Sequence, residues 1–442
     1  MRSHTRRFAG HGRARWWTAA SVLLAVAAAC AGGCGKSPPR VEKIVILGVD
    51  GMDWNIIDPL LAEGRLPNIA GLIERGCRAD LRSLEPVMKS PIIWTTIATG
   101  KGPRKHGISD FLGQGDERPL FNSNGWRARA FWDILSEKGY TVGVVNWMVS
   151  WPAKPVNGYN VSDRIVYRPE DGFSPVEHVT YPEELHDELG PHARPITDVA
   201  DQEIAPFFKT DVLRDDVPPP VRESMAILRD VYGNDETVMG VTRYLLESRE
   251  QPDVFAVYLN GVDTSSHFFW GPMDPSSIDV RLPDEVIEAC SDVIPRYYER
   301  MDALLGEIIA LVDENSTIIL CSDHGFRGPH RSPDGLKLGI WMHRPVGVVV
   351  AAGPGIRAGA TGADASVFDI TPTLLALLGE PVARDMDGFV LDDIISRELL
   401  EESPTRYVDT YETGDATGGD EPVESPVDDE IMERLRSLGY IE

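Results

Sequence analysis

Acidic residues follow three apolar, β-branched runs of the sequence. Asp50, Asp263 and Asp323 each come within four residues after such a run. Runs of this kind are typical of buried strands in a parallel sheet, whose carboxyl ends share the edge where ligands bind. An aspartate after a strand is more often a turn residue or a helix cap than a ligand, so the repetition carries the inference. The pattern predicts three carboxylates converging at one edge of a sheet.

Histidines accompany these carboxylates at spacings that suit a metal site. Asp263 and His267 are four residues apart, so in a helix both side chains lie on one face and can bind the same ion. His324 directly follows Asp323, and His343 precedes a further apolar run, although it can also be interpreted as a surface histidine beside an arginine. Mixed Asp and His ligands favour zinc, or manganese, over magnesium and calcium, which prefer oxygen alone. Because carboxylates this close repel one another, we expect cations between them.

A serine that begins a helix-like segment is the candidate nucleophile. Ser90 follows Lys89 in the segment 89–100, Lys-Ser-Pro-Ile-Ile-Trp-Thr-Thr-Ile-Ala-Thr-Gly. A hydroxyl at this place is usually an N-cap, but the same oxygen and the first amides of a helix also form a site for anions. Coordination to a divalent cation would deprotonate the hydroxyl, which is otherwise a weak nucleophile. Lys89 either adds positive charge to this site or is a solvated surface residue.

Bringing these side chains together requires strands that alternate with helices. Apolar runs that end in polar or Gly-containing turns predict buried strands at Ile44–Val49, Tyr140–Val145, Val254–Leu259, Thr317–Cys321 and Val346–Ala351. Helical periodicity predicts helices at Leu66–Arg75, Ala128–Lys138, Val221–Leu246, Pro283–Val312 and Ser366–Leu378. This alternation predicts an α/β sandwich with a central, largely parallel sheet flanked by helices.

The composition is that of a globular protein and excludes several classes. Of 442 residues, 42% are hydrophobic and 25% are charged, which rules out collagen, coiled coils and wholesale disorder. The formal net charge of −26 repels nucleic acid, so we expect no nucleic-acid binding. Beyond the N-terminal region lie three cysteines and no Cys-x-x-Cys motif, which indicates neither a disulfide framework nor a cysteine-based zinc site.

The N-terminus is predicted to direct export. A basic leader precedes the apolar stretch Trp16–Ala29, which is too short and too Ala-rich for a transmembrane helix, so residues 1–33 are predicted to be a signal peptide. Small residues precede Cys34 in a pattern that resembles the lipobox of bacterial lipoproteins, and residues 34–42 then form a tether. Cys30 is the alternative lipidation site, and a simple cleaved signal is the alternative interpretation. We therefore expect a lipid-anchored protein at the periplasmic or other extracytoplasmic face of the cell envelope.

Short motifs around these residues occur in a characteristic order. They are Val49-Asp50-Gly51, Lys89-Ser90-Pro91 with Thr99-Gly100, Lys105-His106-Gly107-Ile108, Asp263-x-x-x-His267, Ser322-Asp323-His324-Gly325, and His343 with Gly353-Pro354-Gly355. Together they resemble the alkaline phosphatase superfamily, specifically its type I phosphodiesterase/nucleotide pyrophosphatase branch. The resemblance runs from Ile44 to about Leu391. It implies an alkaline-phosphatase-like catalytic domain at 43–400. Within it, the segment at about 150–220 is rich in Pro, Asp and Glu and lacks long apolar periods, which predicts an insertion or cap over the sheet. Residues 401–442 are predicted to be an acidic, Gly- and Pro-containing tail with a short final helix.

The resemblance also implies roles for individual residues. Seven positions match the ligands of two divalent ions: Asp50, Ser90, Asp323 and His324 for one, and Asp263, His267 and His343 for the other. The ions would be zinc, with manganese as the alternative. The implied reaction is attack by Ser90 on a phosphoester, a phosphoserine intermediate, and its hydrolysis by metal-activated water. The substrate would be a small-molecule phosphoester or a head group.

The sequence departs from the family pattern at two places. Eukaryotic nucleotide pyrophosphatases carry an asparagine along the helix after the nucleophile, but residues 91–100 contain none. The missing asparagine leaves the preference for nucleotides open. The contact to the phosphate oxygen would then come from Lys89 or from the backbone. The sulfatase signature, Cys or Ser followed by x-Pro-x-Arg, is missing at Ser90 and at Cys77, which argues against a formylglycine sulfatase.

Three functions are consistent with this sequence. The first is a two-metal phosphodiesterase or nucleotide pyrophosphatase outside the cytoplasmic membrane. The second is a phosphotransferase or hydrolase of phospholipid or glycan head groups, since lipidation would keep it near membrane-bound substrate. The third is an envelope binding protein on the same fold, against which the intact nucleophile and ligand set argue. Among the other histidines, we expect His106 to fix local structure, with a catalytic role as the alternative, and His330 to be a possible substrate contact.

Overall fold

The computed structural model of the protein is organised around one large β-sheet. It describes residues 41–86, 88–113, 119–167, 174–278, 281–328, 330–332, 335–337, 339–361, 364–413 and 425–441. The nine strands of the main sheet in these residues are β1 (Ile44–Val49), β2 (Gly76–Arg82), β3 (Val142–Trp147), β4 (Gly158–Ser162), β5 (Thr180–Tyr181), β6 (Val254–Leu259), β7 (Thr317–Cys321), β8 (Val346–Ala352) and β9 (Ala365–Ser366). Their spatial order is β9-β2-β8-β7-β1-β6-β3-β4-β5.

The pairing of these strands confirms the predicted α/β class. β1 pairs in parallel with β6 and β7, and β3 pairs in parallel with β6 and β4. Alternate residues of β1 enter different cores: Val45 and Leu47 pack on one face of the sheet, and Ile44 and Ile46 pack on the other. Both faces of the sheet are therefore covered, as a largely parallel sheet requires.

One central strand, β8, runs against its neighbours. β8 pairs antiparallel with both β7 and β2. Because of this reversal, the residues that precede β8 lie at the same edge of the sheet as the residues that follow β7. His343 precedes β8, so the chain reversal carries it to the edge reached by Asp323. The sequence pattern predicted β8 but not its direction.

Helices cover both faces of the sheet. In chain order they are Trp54–Ala62, Pro67–Arg75, Ser90–Thr99, Pro103–His106, Phe131–Glu137, Leu185–Leu189, Asp201–Ile204, Pro219–Ser248, Gly261–Met273, Asp284–Cys290, Val293–Leu311, Ile370–Leu377, Arg397–Glu402 and Asp428–Ser437. The helix predicted at 283–312 is two helices with a break at 291–292. The helices around Leu304 and Leu435 pack on one face, and those around Ile93 and Leu374 pack on the other.

The segment at about 150–220 was predicted to be an insertion or cap over the sheet, but its first part belongs to the sheet itself. Its first part contributes β4 and β5, which extend one end of the main sheet. Its later part consists of short helices, and there Phe207 packs against Tyr297, with ring centroids 5.7 Å apart. The polar composition of this segment thus reflects a sheet edge and short surface helices.

The predicted targeting region is not part of the described structure. Residues 1–40, which include both candidate lipidation cysteines, lie outside the described residues. Among the helices that the structure does describe, none has the length and apolar character needed to cross a bilayer. Cys77, Cys290 and Cys321 are buried and free.

A buried carboxylate, Asp53, ties three segments together below the edge that carries the predicted ligands. Asp53 is 1% exposed and caps the helix Trp54–Ala62 by accepting a 2.7 Å hydrogen bond from its first turn. It also accepts a 2.9 Å hydrogen bond from the amide of Phe326. Arg344 donates to both carboxylate oxygens, at 2.5 and 2.7 Å. Asp53 thereby connects the segments that follow β1, follow β7 and precede β8.

Removal of this carboxylate should destabilise the fold. Asp53→Ala loses a helix cap worth ~1 kcal/mol and leaves a buried amide unpaired at a cost of ~1–3 kcal/mol. We expect the free energy of unfolding, measured with denaturant, to fall by about 2–4 kcal/mol. Asp58→Ala is the control, since the ion pair of Asp58 with Arg78 is solvent-exposed and worth ~1 kcal/mol or less. Equal losses in the two variants would contradict the role of Asp53.

Candidate active site

The parallel strands deliver the predicted carboxylates to one edge of the sheet. Asp50 follows β1, and Asp323 and His324 follow β7. Asp263 lies in the first turn of the helix Gly261–Met273, which begins two residues after β6. Since β1, β6 and β7 are parallel neighbours, the side chains that follow them converge. All of these carboxylates and the His324 imidazole are buried.

Four of the predicted residues meet around the imidazole of His324. Its Nε2 atom lies 3.2 Å from Oδ1 of Asp50 and 3.4 Å from Oδ2 of Asp323. The same Nε2 atom is 3.4 Å from Oγ of Ser90. We call Asp50, Ser90, Asp323 and His324 the serine-side group. The structure brings together all four residues to which the family resemblance gives one ion.

The other three predicted ligands form a second triangle beside the first. Oδ1 of Asp263 lies 3.4 Å from Nε2 of His267 and 3.5 Å from Nε2 of His343. The two Nε2 atoms are 3.2 Å apart. We call Asp263, His267 and His343 the helix-side group. The rings of His324 and His343 stack with centroids 3.6 Å apart, so the two groups are in direct contact.

The two groups fit divalent cations. In these two groups, three buried carboxylate oxygens have no hydrogen-bond partner: Oδ1 of Asp50, Oδ1 of Asp263 and Oδ2 of Asp323. A buried carboxylate oxygen without a partner is costly unless a cation binds it. The interatomic distances of 3.2 to 3.5 Å match the ~3.4 Å edge of a tetrahedron whose corners lie ~2.1 Å from its centre, as in zinc sites. Two clusters have their ligand atoms within 4.8 Å of one another, Asp50-Asp323-His324 and Asp263-His324-His343, so His324 lies within reach of both groups.

Further hydrogen bonds orient these ligands. Oδ2 of Asp50 accepts from the hydroxyl of Tyr258 at 2.5 Å and from the indole of Trp94 at 3.2 Å, which leaves its Oδ1 facing the site. The Nδ1 atom of His343 bonds the carbonyl of Met88 at 2.8 Å, so its Nε2 faces inward. Such partners fix the ring orientation and tautomer of a metal-binding histidine. Gly48 makes room for Trp94, because a Cβ on Gly48 would lie 2.7 Å from the indole ring.

Burial and like charge control the protonation of these carboxyl groups. Burial, and then the charge of Asp263, raise the pKa of Asp50 from 3.8 to about 7. Burial and the charge of Asp50 likewise raise the pKa of Asp323 well above its usual range. Burial also acts to raise the pKa of Asp263, but the two histidines of its group outweigh this and hold it well below the ordinary value. Burial lowers the pKa of His324, which keeps its imidazole neutral and able to bind a cation.

Ser90 is the first residue of a buried helix. In the helix Ser90–Thr99 the N-cap position belongs to Lys89, so Ser90 is not the cap, and its hydroxyl faces His324. Ser90 is 2% exposed. The ammonium of Lys89 lies 2.5 Å from a carboxylate oxygen of Asp110. Lys89 is therefore not a freely solvated residue, since its ammonium is paired with Asp110.

The sequence also suggested roles for His106 and His330, and the structure describes the surroundings of His106. His106 is buried, with its Nε2 3.1 Å from the hydroxyl of Thr96 and its Nδ1 accepting from the amide of Ile108 at 3.2 Å. Burial lowers the pKa of His106 to about 3, so it is a neutral residue that ties the helix Ser90–Thr99 to the following loop. His330 belongs to the short strand His330–Ser332, and its side chain lies outside the described part of the structure.

Two residues at the site were not found by sequence reasoning. The hydroxyl of Tyr440, near the end of the predicted tail, lies 2.7 Å from Nε2 of His267. Asn146, at the end of β3, has a positive φ of 60° and lines a cavity of about 120 Å³ together with Ser90 and Asp50. No spacing in the sequence connects either residue to the ligands. The only local signals are the glycine before Tyr440 and the strand β3, in which Asn146 is the last residue but one.

A family comparison decides the class of the protein. The model of the type I phosphodiesterase / nucleotide pyrophosphatase family matches residues 44–359. The chain belongs to this family. The matched range contains the serine and all six predicted acidic and histidine ligands. The protein is accordingly a hydrolase of phosphoesters or related esters.

Solved structures share the fold at low sequence identity. A candidate sulfatase from Bacteroides thetaiotaomicron is 12% identical, with a TM-score of 0.50 over 84% of this chain and 76% of that chain. Murine ectonucleotide pyrophosphatase/phosphodiesterase 5, inactive and in complex with AMP, is 12% identical, with a TM-score of 0.47 over 80% and 100%. A phosphonate monoester hydrolase from Silicibacter pomeroyi is 15% identical, with a TM-score of 0.45 over 79% and 76%. At this identity the Bacteroides structure supports the α/β fold alone. A comparison with curated protein sequences gives no match.

The two ligand groups lead to a prediction of metal content. We expect the purified protein, loaded with zinc and desalted, to hold close to two ions per chain. His267→Ala and His324→Ala should each lower the content by about one ion, because each removes a ligand of a different group. Elemental analysis measures the content, and His192→Ala, an exposed histidine, is the control. An unchanged content in both ligand variants would refute the assignment.

The raised pKa of Asp50 predicts how pH affects the metal-free protein. The folded state keeps a proton on Asp50 that the unfolded chain releases above 3.8, so this stabilisation is complete below that pH and is lost as the pH rises through about 7. Asp50→Asn does not titrate. The melting temperature of the metal-free Asn variant, relative to wild type, should therefore rise between about pH 4 and pH 7. A difference that does not change with pH would show that Asp50 titrates normally.

Proposed function

We propose that the protein is a two-metal phosphodiesterase of the nucleotide pyrophosphatase type that acts through Ser90. The observation that carries this proposal is that the Ser90 hydroxyl lies 3.4 Å from Nε2 of His324, an atom that lies 3.2 to 4.0 Å from three buried, unpartnered carboxylate oxygens. Buried charges of this kind persist in proteins where cations bind them, and a hydroxyl beside the cations is a potential nucleophile. Family membership supports the same reaction class.

Ser90 is placed to begin the reaction. Its oxygen forms a bond to phosphorus while the ester P–O bond on the opposite side breaks, and the proton lost by the serine is balanced by the one that the departing alcohol gains. Water then forms a bond to phosphorus as the Ser90–phosphorus bond breaks, and the serine oxygen regains a proton. Both steps are in-line displacements, which demand positioning more than acid–base chemistry.

Two divalent ions bound by the serine-side and helix-side groups would supply charge neutralisation and lower the pKa of the serine hydroxyl. Zinc fits the mixed Asp and His donors, with manganese as the alternative. The chain contributes the rigidity of this arrangement. Tyr258, Trp94 and the Met88 carbonyl hold two of the ligands, and the strand ends hold the rest.

Asn146 is the candidate for the amide that the helix after Ser90 lacks. Asn146 is 4% exposed, lines the same cavity as Ser90, and donates through Nδ2 to the carbonyl of Tyr258 at 3.0 Å. Its positive φ is uncommon for a residue other than glycine and is typical of functional positions. We propose that Asn146 contacts a phosphate oxygen. Lys89 is less suited to this contact, since its charge is shared with Asp110.

The cavity beside Ser90 favours an ester with an apolar organic group. Its wall includes Phe111, Phe121, Met148 and Tyr167. Apolar walls with a few polar groups are typical of small-molecule sites. A phospholipid or glycan head-group phosphoester is therefore the second candidate substrate. A binding protein without activity is disfavoured, because the serine and both ligand groups are assembled.

We also propose that the protein is exported and anchored by a lipid. The support is the sequence alone: a basic leader and an apolar stretch within residues 1–33, followed by the lipobox-like residues before Cys34. An anchor of this kind would hold the site at the cell envelope. Mass spectrometry of the N-terminal peptide distinguishes lipidation at Cys34 from lipidation at Cys30 and from simple cleavage.

The nucleophile is tested by two substitutions at one position. Ser90→Ala should fold normally, because no helix cap is lost, and should lower kcat on a nitrophenyl phosphodiester by about 10³-fold or more, since the covalent route is removed. Ser90→Thr should keep partial activity, because its hydroxyl can occupy the same place. Ser248→Ala, at an exposed helix end, is the control and should match wild type. Near-normal turnover by Ser90→Ala with bound metals would replace the phosphoserine route by direct attack of water.

A further inference from the structure

The last described residues of the chain fold back into the site. The helix Asp428–Ser437 ends in a Schellman motif: the amide of Tyr440 bonds the carbonyl of Leu435 at 2.9 Å, and the amide of Gly439 bonds that of Arg436 at 3.0 Å. Gly439 has a φ of 79°, which a glycine adopts without strain. This reversal turns Tyr440 away from the helix axis and towards the ligands. The residues Leu438-Gly439-Tyr440 thus form a turn that places the Tyr440 side chain at the ligands.

The hydroxyl of Tyr440 contacts every member of the helix-side group. It lies 2.7 Å from Nε2 of His267 and 3.1 Å from Nε2 of His343. It donates to Oδ2 of Asp263 at 3.2 Å. The three donor atoms that face one another in this group are 3.2 to 3.5 Å apart. The hydroxyl therefore lies 2.7 to 3.2 Å from one side-chain atom of each residue in the helix-side group.

An ion held by the three residues of the helix-side group would have a fourth position, or corner, that has a defined use in an in-line displacement. Ser90 belongs to the serine-side group, so the oxygen that leaves phosphorus on the opposite side points towards the helix-side group. Catalytic sites keep this corner open for an oxygen of the substrate or of water, whereas structural sites close it. A permanent tyrosine ligand there would block the reaction proposed for Ser90. The hydroxyl of Tyr440 lies within hydrogen-bond distance of the atoms that would hold such an ion, so it lies beside the place where the leaving oxygen would arrive.

We propose that Tyr440 is a substrate-binding residue whose hydroxyl donates a hydrogen bond to the leaving-group oxygen and to the phosphate oxygen that replaces it. This inference rests on the proposed function. The arriving oxygen would accept the hydrogen bond that Tyr440 now donates to Oδ2 of Asp263. The C-terminal segment is then part of the active site and not a tail.

Packing holds the phenol near this position. The ring of Tyr440 lies against Phe111, with centroids 4.7 Å apart, and Phe111 lines the cavity beside Ser90. The helix Asp428–Ser437, which precedes Tyr440, is joined to the segment around Arg164 by an ion pair between Asp428 and the buried Arg164, at 3.0 Å. Its apolar residues Ile431 and Leu435 are buried in the core below the sheet and also line the cavity. The segment therefore forms a wall of the substrate cavity.

The test removes one hydroxyl and leaves the ring in place. Tyr440→Phe is compared with Tyr407→Phe, an exposed tyrosine on the strand Tyr407–Val408, in the full, zinc-loaded chain. The Tyr440 variant should bind inorganic phosphate about 10- to 100-fold more weakly by calorimetry, which corresponds to the loss of one hydrogen bond to a charged group. Its kcat/KM on a nitrophenyl phosphodiester should fall by a similar factor. Its metal content and melting temperature should match those of the control.

Three results would overturn the proposal. Unchanged phosphate affinity and kcat/KM would show that the hydroxyl contacts no substrate oxygen. Tighter phosphate binding or faster turnover would make Tyr440 an obstacle that the substrate displaces. Loss of one ion would make it a metal ligand. If the wild-type protein hydrolysed no phosphoester, the proposed function would fail, but the calorimetric comparison would still decide the contact of Tyr440 with phosphate.

Discussion

Three carboxylates of like charge, buried at one edge of a sheet, are the constraint on which the rest of this structure depends. Asp50, Asp263 and Asp323 each keep one oxygen without a hydrogen-bond partner, and all three residues are within 5% of complete burial. Leaving such groups ionised in a protein interior costs several kcal/mol each unless opposite charge is supplied. Divalent cations would supply this charge, and the neighbouring imidazoles would complete their ligand sets. The site is therefore one in which stability is given up for binding capacity.

The surrounding fold offsets this repulsion by holding the ligands rigidly. Parallel strands place Asp50 and Asp323 on adjacent backbones, and the hydrogen bonds from Tyr258 and Trp94 occupy the outer oxygen of Asp50. Asp53, which is also buried, is fully paired with Arg344 and with backbone amides, so its charge is structural. The contrast between Asp50 and Asp53, three residues apart, separates a binding carboxylate from a structural one. The difference is the presence of partners and not the degree of burial.

The end of the chain completes a site that begins near its start. Tyr440 and Asp263 are 177 residues apart in sequence, and Tyr440 reaches the site because a glycine reverses the chain after the last helix. An acidic, Gly-containing linker precedes that helix, which makes the region resemble a loose tail in composition. The amphipathic helix Asp428–Ser437 nevertheless buries Ile431 and Leu435 in the main core. Composition describes the linker, whereas two buried side chains decide where the helix lies.

The sequence by itself determined the α/β class, the family, and the seven residues that meet at the edge of the sheet. It did so because strand ends, the four-residue spacing of Asp263 and His267, and the order of short motifs are local properties of the chain. The tertiary structure alone decided that β8 runs antiparallel and so carries His343 to that edge. It alone placed Lys89 against Asp110, extended the sheet with β4, and brought Tyr440 and Asn146 to the cavity. These features depend on pairing partners and on contacts between distant segments, which no local pattern records.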